Sequence, residues 1–381
     1  MSLFGTMAST LWTVGAFLVV LSIVVFIHEL GHFLVARWCR VKVSEFSIGF
    51  GREIAGFNDR YGTRWRINWL PLGGYVKFFD DLDGASIPDA KALERMTPEE
   101  REGSFHAKPL WQKAAVIVAG PMANFLLAIA VLAGIFMTVG IAITLPKVDE
   151  VVAGGAADRA GLRSGDLITA IDGVKIETFT DLQRIVSGSP DIPLKVDVSR
   201  GGQTFTVTVT PQRTETPDGF GGKMRVGMLG VKRNTSAVEW SYKKFGPIDA
   251  VGEAVNECIF FVSRNLSYLR DVIFGKEKVD QLRGPIGIAE VVGKTTEHGL
   301  LPIIHLLAIL SLSIGLFNLF PIPPLDGGHL MFYAYEAIRG RPMNNAAQGV
   351  GFRIGLVMIL MLAVVATWND ALRIIGRLIG S

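Results

Sequence analysis

Four stretches of this chain are apolar for long enough to cross a bilayer, and the polar residues that interrupt them are few and grouped. From Leu11 to Ala36 the only ionisable side chains are His28, Glu29 and His32. A hydrocarbon core takes about 20 residues of apolar helix, so this run reads as a first span with a polar cluster inside it. The second span runs from about Ala114 to Leu145 and contains GPMANF, where Pro121 removes a backbone donor and Asn124 sets an amide at membrane depth. The third begins near Pro302 and meets NLFPIPPLDGG, where Pro321, Pro323 and Pro324 must break the helix. Ile354 to Trp368 makes the fourth.

Between the second and third spans the periodicity changes. After Pro146, short alternating segments such as LITAIDG, LKVDVSR and TFTVTVTPQ surround AGLRSGD and a short helix near Asp181 to Ser187. That alternation predicts a small α+β insert. TETPDGFGG is a linker, and Arg225 to Val231 adds one more strand. Ala250 to Phe274 keeps apolar residues at helical spacing but carries Glu253, Asn256, Glu257, Arg264 and Arg270, the pattern of an amphipathic helix at a membrane surface or against the bundle. GPIGIAE, from Gly284 to Glu290, reads as a turn.

Composition agrees with the pattern. Of 381 residues 49% are hydrophobic and only 19% charged, which fits a polytopic α-helical membrane protein of about four spans with one modest soluble insert. A net charge of +3 is too small to suggest a nucleic-acid partner. Cys39 and Cys258 lie far apart and indicate neither a disulfide framework nor a cysteine metal site. No basic residue precedes the first span, whereas Arg37, Arg40 and Lys42 follow it. The first span is thus expected to be retained rather than cleaved, with the N-terminus outside and the next loop in the cytoplasm. Arg339, Arg341 and Arg353 repeat the bias, so the C-terminus and the insert are expected outside, with the polar cluster toward the cytoplasmic side.

The candidate chemistry lies in the first span. His-Glu-x-x-His on a helix places His28 and His32 one turn apart on one face, where both can bind one zinc, with Glu29 beside the open position as general base. Ionisable groups at membrane depth cost at least about 3 kcal/mol each, so a cluster of them is a functional site by default. Catalytic zinc takes three protein ligands, and Asp326, on the broken third span, is the candidate for the third. WRINWLPLGGYVKFF, from Trp65 to Phe79, reads as a β-hairpin or looped strand pair apolar enough to dip into the membrane. A protease needs its substrate extended, and an unpaired edge at Gly74 to Phe78 suits strand addition; a hairpin that merely packs on the helices is the alternative. The Asn124 amide bonds either another helix or a substrate.

HELGH, PLGGYVKF, GPMANF and NLFPIPPLDGGH, in this order around AADRAGLRSGDLITAIDG, closely resemble the site-2 protease family, and within it the bacterial RseP type of regulator-of-sigma-E protease. The insert resembles a PDZ domain of the circularly permuted bacterial kind. The resemblance implies residues 1–37 as the first transmembrane helix, 38–113 as a cytoplasmic loop with a re-entrant β-loop at 65–79, and 114–145 as the second transmembrane helix. It implies 146–213 as one extracytoplasmic PDZ domain, 214–299 as linker and surface helix, 300–338 as the third transmembrane segment and 351–369 as the fourth. His28, His32 and Asp326 are then zinc ligands and Glu29 the catalytic base. Asn318, with Gly73, Gly74, Tyr75, Val76 and Asn124, is expected to hold the substrate strand. The implied activity is intramembrane cleavage of single-pass membrane proteins, anti-sigma-factor-like or remnant signal peptides, in the bacterial cytoplasmic membrane, with a peptide or trimmed ectodomain at the PDZ groove. Members with two tandem PDZ domains differ from this chain, which has room for one. The rival reading is a non-catalytic, membrane-anchored PDZ adaptor.

Overall fold

The computed structural model describes residues 3–81, 96–143, 145–217, 223–232, 241–275 and 284–379. Residues 82–95 of the acidic segment and 218–222 of the expected linker lie outside them. Two compact units form, one of residues 1–133, 251–266 and 282–381 and one of residues 134–250 and 267–281.

The first unit is built on α1 (Leu3–Trp38), α3 (Leu110–Thr138), α8 (Leu300–Asn318), α9 (Asp326–Arg339) and α10 (Asn345–Ile379), with α7 (Pro285–Thr296) against α1. Among the described residues four helical stretches are long and apolar enough to cross a membrane: Leu11–Trp38, Leu110–Thr138, Leu300–Asn318 and Ala346–Gly376. Leu356, Val357, Leu360, Met361 and Val364 on α10 stay exposed, as a lipid-facing surface requires. Helix α6 (Pro247–Ile273) carries the amphipathic pattern the sequence predicts. The third apolar segment does break at its prolines, and residues 319–325 separate α8 from α9.

GPIGIAE is not a turn. It opens α7, with Gly284 as N-cap and Pro285 in the first turn, where a missing N–H costs nothing. The side-chain cap that Gly284 lacks comes from α10: the Gly287 amide donates to Asp370 Oδ2 at 2.8 Å. Side chains at Gly284 or Gly287 would overlap that carboxylate, which is why glycine stands at both.

The hairpin expected within residues 65–79 does not form as such: its two arms, 64–67 and 74–78, lie on either side of residues 45–48 instead of pairing with each other. Strands β1 (Val43–Asn58) and β2 (Arg64–Phe78) each bend and pair with one another more than once, antiparallel except where residues 45–48 run alongside 64–67. Residues 43–48 pair with 74–78 on one side and 64–67 on the other, while 53–58 pair again with 64–68. Two strands thereby make a four-segment sheet. The bends fall where φ is positive, at Gly49, Gly51 and Gly73, conformations that cost a residue with a Cβ. A short loop joins the strands, with Asp59 accepting from the Tyr61 and Thr63 amides and from Arg37 of α1. Under the sheet, Phe33, Phe46, Val76, Phe78, Phe105 and Val116 form one buried cluster, with Trp65 stacked on Phe46 at 4.2 Å. Segment 74–78 forms one edge, and no strand among the described residues pairs with its outer side.

Asp80 and Asp81 anchor that edge. Asp80 accepts from the Phe105 and His106 amides and the Ser104 hydroxyl; Asp81 accepts from the Phe78 amide and meets His106 Nε2 at 2.8 Å. Burial pushes the Asp81 carboxyl above its ordinary value, although His106 pulls the other way. The short helix α2 (Pro98–Gly103), closed by a Thr97 and Glu100 capping box, precedes this latch.

The second unit holds β3 (Ile141–Ile143), β4 (Glu150–Val151), α4 (Ala156–Arg159), β5 (Leu167–Ile171), β6 (Val174–Lys175), α5 (Phe179–Ser187), β7 (Leu194–Arg200), β8 (Gln203–Val209), β9 (Gln212–Pro217), β10 (Lys223–Met228), β11 (Val231–Lys232) and β12 (Ser241–Lys243). A four-stranded antiparallel sheet in the order β6-β5-β7-β8 carries its core. Val148, Ile168, Ile171, Leu182, Val196 and Val198 are fully or almost fully buried there, with Val196 and Val198 the inward positions of the alternation read from LKVDVSR. The hairpin of β9 and β10 belongs to this unit, so it extends beyond residue 213.

One ion pair fixes its AGLRSGD loop. Asp166 is inaccessible and takes both arms of Arg200, at 2.6 and 2.8 Å, plus the Arg163 amide. The guanidinium fork holds the Asp166 carboxyl below the ordinary aspartate range. Replacing Asp166 by Ala should lower the stability of this unit by about 2 kcal/mol, the lower part of the range for charge-assisted bonds because Arg200 stays partly open to solvent. Since the native carboxyl titrates below the unfolded one, the stabilisation is complete above about pH 4 and fades as pH falls through the native value. Thermal unfolding of the two proteins at neutral pH and near pH 3 checks this. A gap unchanged in acid refutes it.

Candidate metal centre

Three donor atoms from two distant parts of the chain converge inside the first unit. His28 and His32 lie on one face of α1 with their Nε2 atoms 3.3 Å apart. Asp326 is the first residue of α9, and its Oδ2 lies 3.2 Å from His28 Nε2 and 3.5 Å from His32 Nε2. That oxygen is buried without a hydrogen-bond partner. Bonds of ~2.0–2.1 Å at tetrahedral angles separate neighbouring ligand atoms by about 3.3–3.4 Å, so the triangle is the face that one zinc requires. Two imidazoles and one carboxylate are also a donor set that zinc accepts with a position left open. These residues fit the ion.

The local sequence explains the convergence. Four residues separate the histidines, one helical turn. Asp326 reaches them because the prolines end α8 and the chain re-enters α9 tightly. A Cβ on Gly327 would overlap the carbonyls of Leu319 and Phe320, and one on Gly328 the backbone of Pro323. Only the glycine pair lets the turn close.

Helix α3 runs antiparallel to α1 and packs close against the histidines. Side chains at Gly31 or Gly120 would strike the Ala119 carbonyl or the His32 ring. His32 Nδ1 donates to the Val116 carbonyl at 2.8 Å. The Asn124 amide sits 3.2 Å from His28 Nδ1, its Oδ1 is buried without a partner, and the Ser311 hydroxyl donates to its main-chain carbonyl at 2.9 Å.

Glu29 is almost buried and faces β2: a Cβ on Gly74 would lie 2.9 Å from Glu29 Cγ. The open sheet edge therefore begins beside this carboxylate. The other residues expected to hold a substrate are placed differently. Gly73 packs on the Phe50 ring, Tyr75 bonds Glu45 and Arg66 through its hydroxyl, and Val76 is in the core beneath the sheet. Asn318 ends α8 with its amide donating to the Ile314 carbonyl at 3.1 Å. Sequence reasoning missed Gly120, Val116 and Ser311. Gly120 had a signal, its place before Pro121 in GPMANF; a carbonyl such as that of Val116 leaves none.

A histidine pair and an aspartate spaced to fit zinc, beside a glutamate and within helices suited to a bilayer, are the features of a membrane zinc metalloprotease. The chain belongs to peptidase family M50, whose profile matches residues 16–362. It is 46% identical over 359 residues to a Rhizobium meliloti protein that carries the name of a zinc metalloprotease, covering 94% of this chain and 96% of that one. One from Agrobacterium fabrum is 46% identical over 360 residues, with coverage of 94% and 96%. Metalloprotease MmpA of Caulobacter vibrioides is 40% identical over 375 residues, with coverage of 93% and 94%.

The close approach of α3 is testable. Gly120→Ala should push the His32 ring and weaken zinc binding roughly tenfold or more, the scale on which disturbed metal surroundings act. Gly134→Ala, which meets nothing within 4 Å, is the control. Zinc per protein after dialysis against a graded chelator reports both, and equal retention by the two variants would remove Gly120 from the site.

Proposed function

We propose that this protein is an intramembrane endopeptidase that cuts single-pass membrane proteins within or near their spans, with His28, His32 and Asp326 holding the zinc and Glu29 serving as the base. The observation that carries this reading is the triangle of Nε2, Nε2 and Oδ2 atoms, two of the three on a helix long and apolar enough to span a membrane. Zinc bound there supplies a Lewis acid that polarises the scissile carbonyl and acidifies water. Glu29 takes the proton of the attacking water and delivers it to the leaving amine.

A substrate helix must unwind before its carbonyl can react, because the helix itself occupies that carbonyl. The open edge of segment 74–78, beginning at Gly74 against Glu29, supports holding the unwound strand by backbone pairing. Asn318 and the break at 319–325 flank the same strand in this reading. The second unit acts as a single extracytoplasmic PDZ domain that takes a peptide end or a trimmed ectodomain. Basic residues after the first span support an orientation in the bacterial cytoplasmic membrane with both termini and this unit outside. Anti-sigma-factor-like proteins and remnant signal peptides are substrates of the right form, short outside and crossing once.

The deciding experiment follows a tagged single-pass substrate with a short ectodomain and a helix-destabilised span in membranes holding either the wild type or Glu29→Gln. Wild type should cut within the span, and Glu29→Gln should be slower by roughly 10²–10⁴-fold with its zinc retained. Equal cutting by both sinks the role of Glu29. Asp326→Ala should lose zinc, and full retention would remove Asp326 from the ligand set.

A further inference from the structure

We infer that Asn124 is a positioning residue of the metal centre, accepting the Nδ1 proton of His28 and thereby holding the His28 lone pair at Nε2. The inference rests on the ligand assignment proposed above and adds a residue to it.

The argument is a proton count. A neutral imidazole carries one N–H, and a ring that gives its Nε2 lone pair to a metal must carry the proton on Nδ1. Both histidines turn Nε2 toward Asp326, so both Nδ1 atoms must donate. His32 does so to the Val116 carbonyl. His28 has the Asn124 side chain, fully buried at 3.2 Å. With the amide nitrogen toward Nδ1, two donors would face each other while Oδ1 stands unpartnered. Turning the amide over its own plane, with no change in volume, brings Oδ1 onto the Nδ1 proton and removes the donor-to-donor contact, while Nδ2 takes the position that Oδ1 had. The metal-competent tautomer therefore selects that face of the amide.

The spacing on α3 shows why asparagine serves at this position. Val116 and Asn124 are eight residues apart, about 12 Å along a helix, whereas His28 and His32 are about 6 Å apart. A helical carbonyl projects toward the C-terminus and a side chain leans toward the N-terminus. A backbone acceptor at 116 and a side-chain acceptor at 124 thus converge to one turn. The Asn124 backbone is fixed as well, by Ser311 on its carbonyl and by Gly315, whose Cβ would come 3.2 Å from Asn124 Cβ.

The test compares Asn124→Leu, which fills the space without an acceptor, with Asn124→Asp, which is isosteric and keeps one. Zinc affinity by chelator competition on purified full-length protein is the first readout. The second is the visible absorption of the cobalt-substituted protein. Asn124→Leu should bind zinc roughly 10- to 100-fold more weakly and lose the tetrahedral cobalt bands, the usual effect of removing a partner of a ligating histidine. Asn124→Asp should match the wild type or bind tighter, and this arm decides should the leucine variant not fold. Zinc affinity within twofold of wild type in Asn124→Leu, or weakened binding in Asn124→Asp, overturns the inference. A raised KM with unchanged zinc affinity would instead assign Asn124 to substrate. His28→Ala separates the two levels: if it retains zinc, the ligand assignment itself fails, whereas zinc lost there but kept in Asn124→Leu refutes the positioning role alone.

Discussion

Everything in the first unit follows from the cost of keeping polar groups where lipid would otherwise be. His28, Glu29 and His32 interrupt an apolar helix, and the unit is arranged to give them neighbours. Helix α3 approaches so closely at Gly31 and Gly120 that its backbone, not only its side chains, faces the histidine rings. Small residues that let helices touch are the common solution in membranes, where burial supplies no hydrophobic driving force between helices. Here the same closeness brings a carbonyl and an amide to the far nitrogens of both rings. Packing and chemistry are served by one set of contacts.

The broken helix answers the same constraint from the other side. Ending α8 and restarting at Asp326 presents the carboxylate from a helix terminus, and Gly327 and Gly328 let the turn fold on itself. The bent sheet then covers Glu29. It is tied down by Arg37 on Asp59 at its far loop and by Asp80 and Asp81 at its near end.

How much of this is legible in the sequence depends on whether a feature is carried by residue type or by meeting. The His-Glu-x-x-His spacing and Asp326 are legible because lipid excludes such residues unless they have work there. The four apolar helices follow from length alone. The bent strand β1 is not legible, because FSIGFGREIAGFN has glycines that read as loop, and only the partner strand shows that they are bends. GPIGIAE misleads for a related reason. Glycine and proline punctuate turns in isolation, but here they make room for a cap arriving from another helix. Val116 acts through its backbone, which no side-chain pattern reveals.

That borrowed cap has a consequence for biogenesis. Gly287 and Asp370 are 83 positions apart in the chain. At a synthesis rate of ~5–20 residues per second, α7 leaves the ribosome several seconds before the carboxylate that closes its first turn exists. Asp326 likewise emerges long after the histidines. The nascent chain thus passes through the insertion machinery with its donor triangle open and α7 uncapped. Both are completed only late in synthesis, so a product truncated before Asp326 lacks the third donor and one truncated before Asp370 lacks the cap.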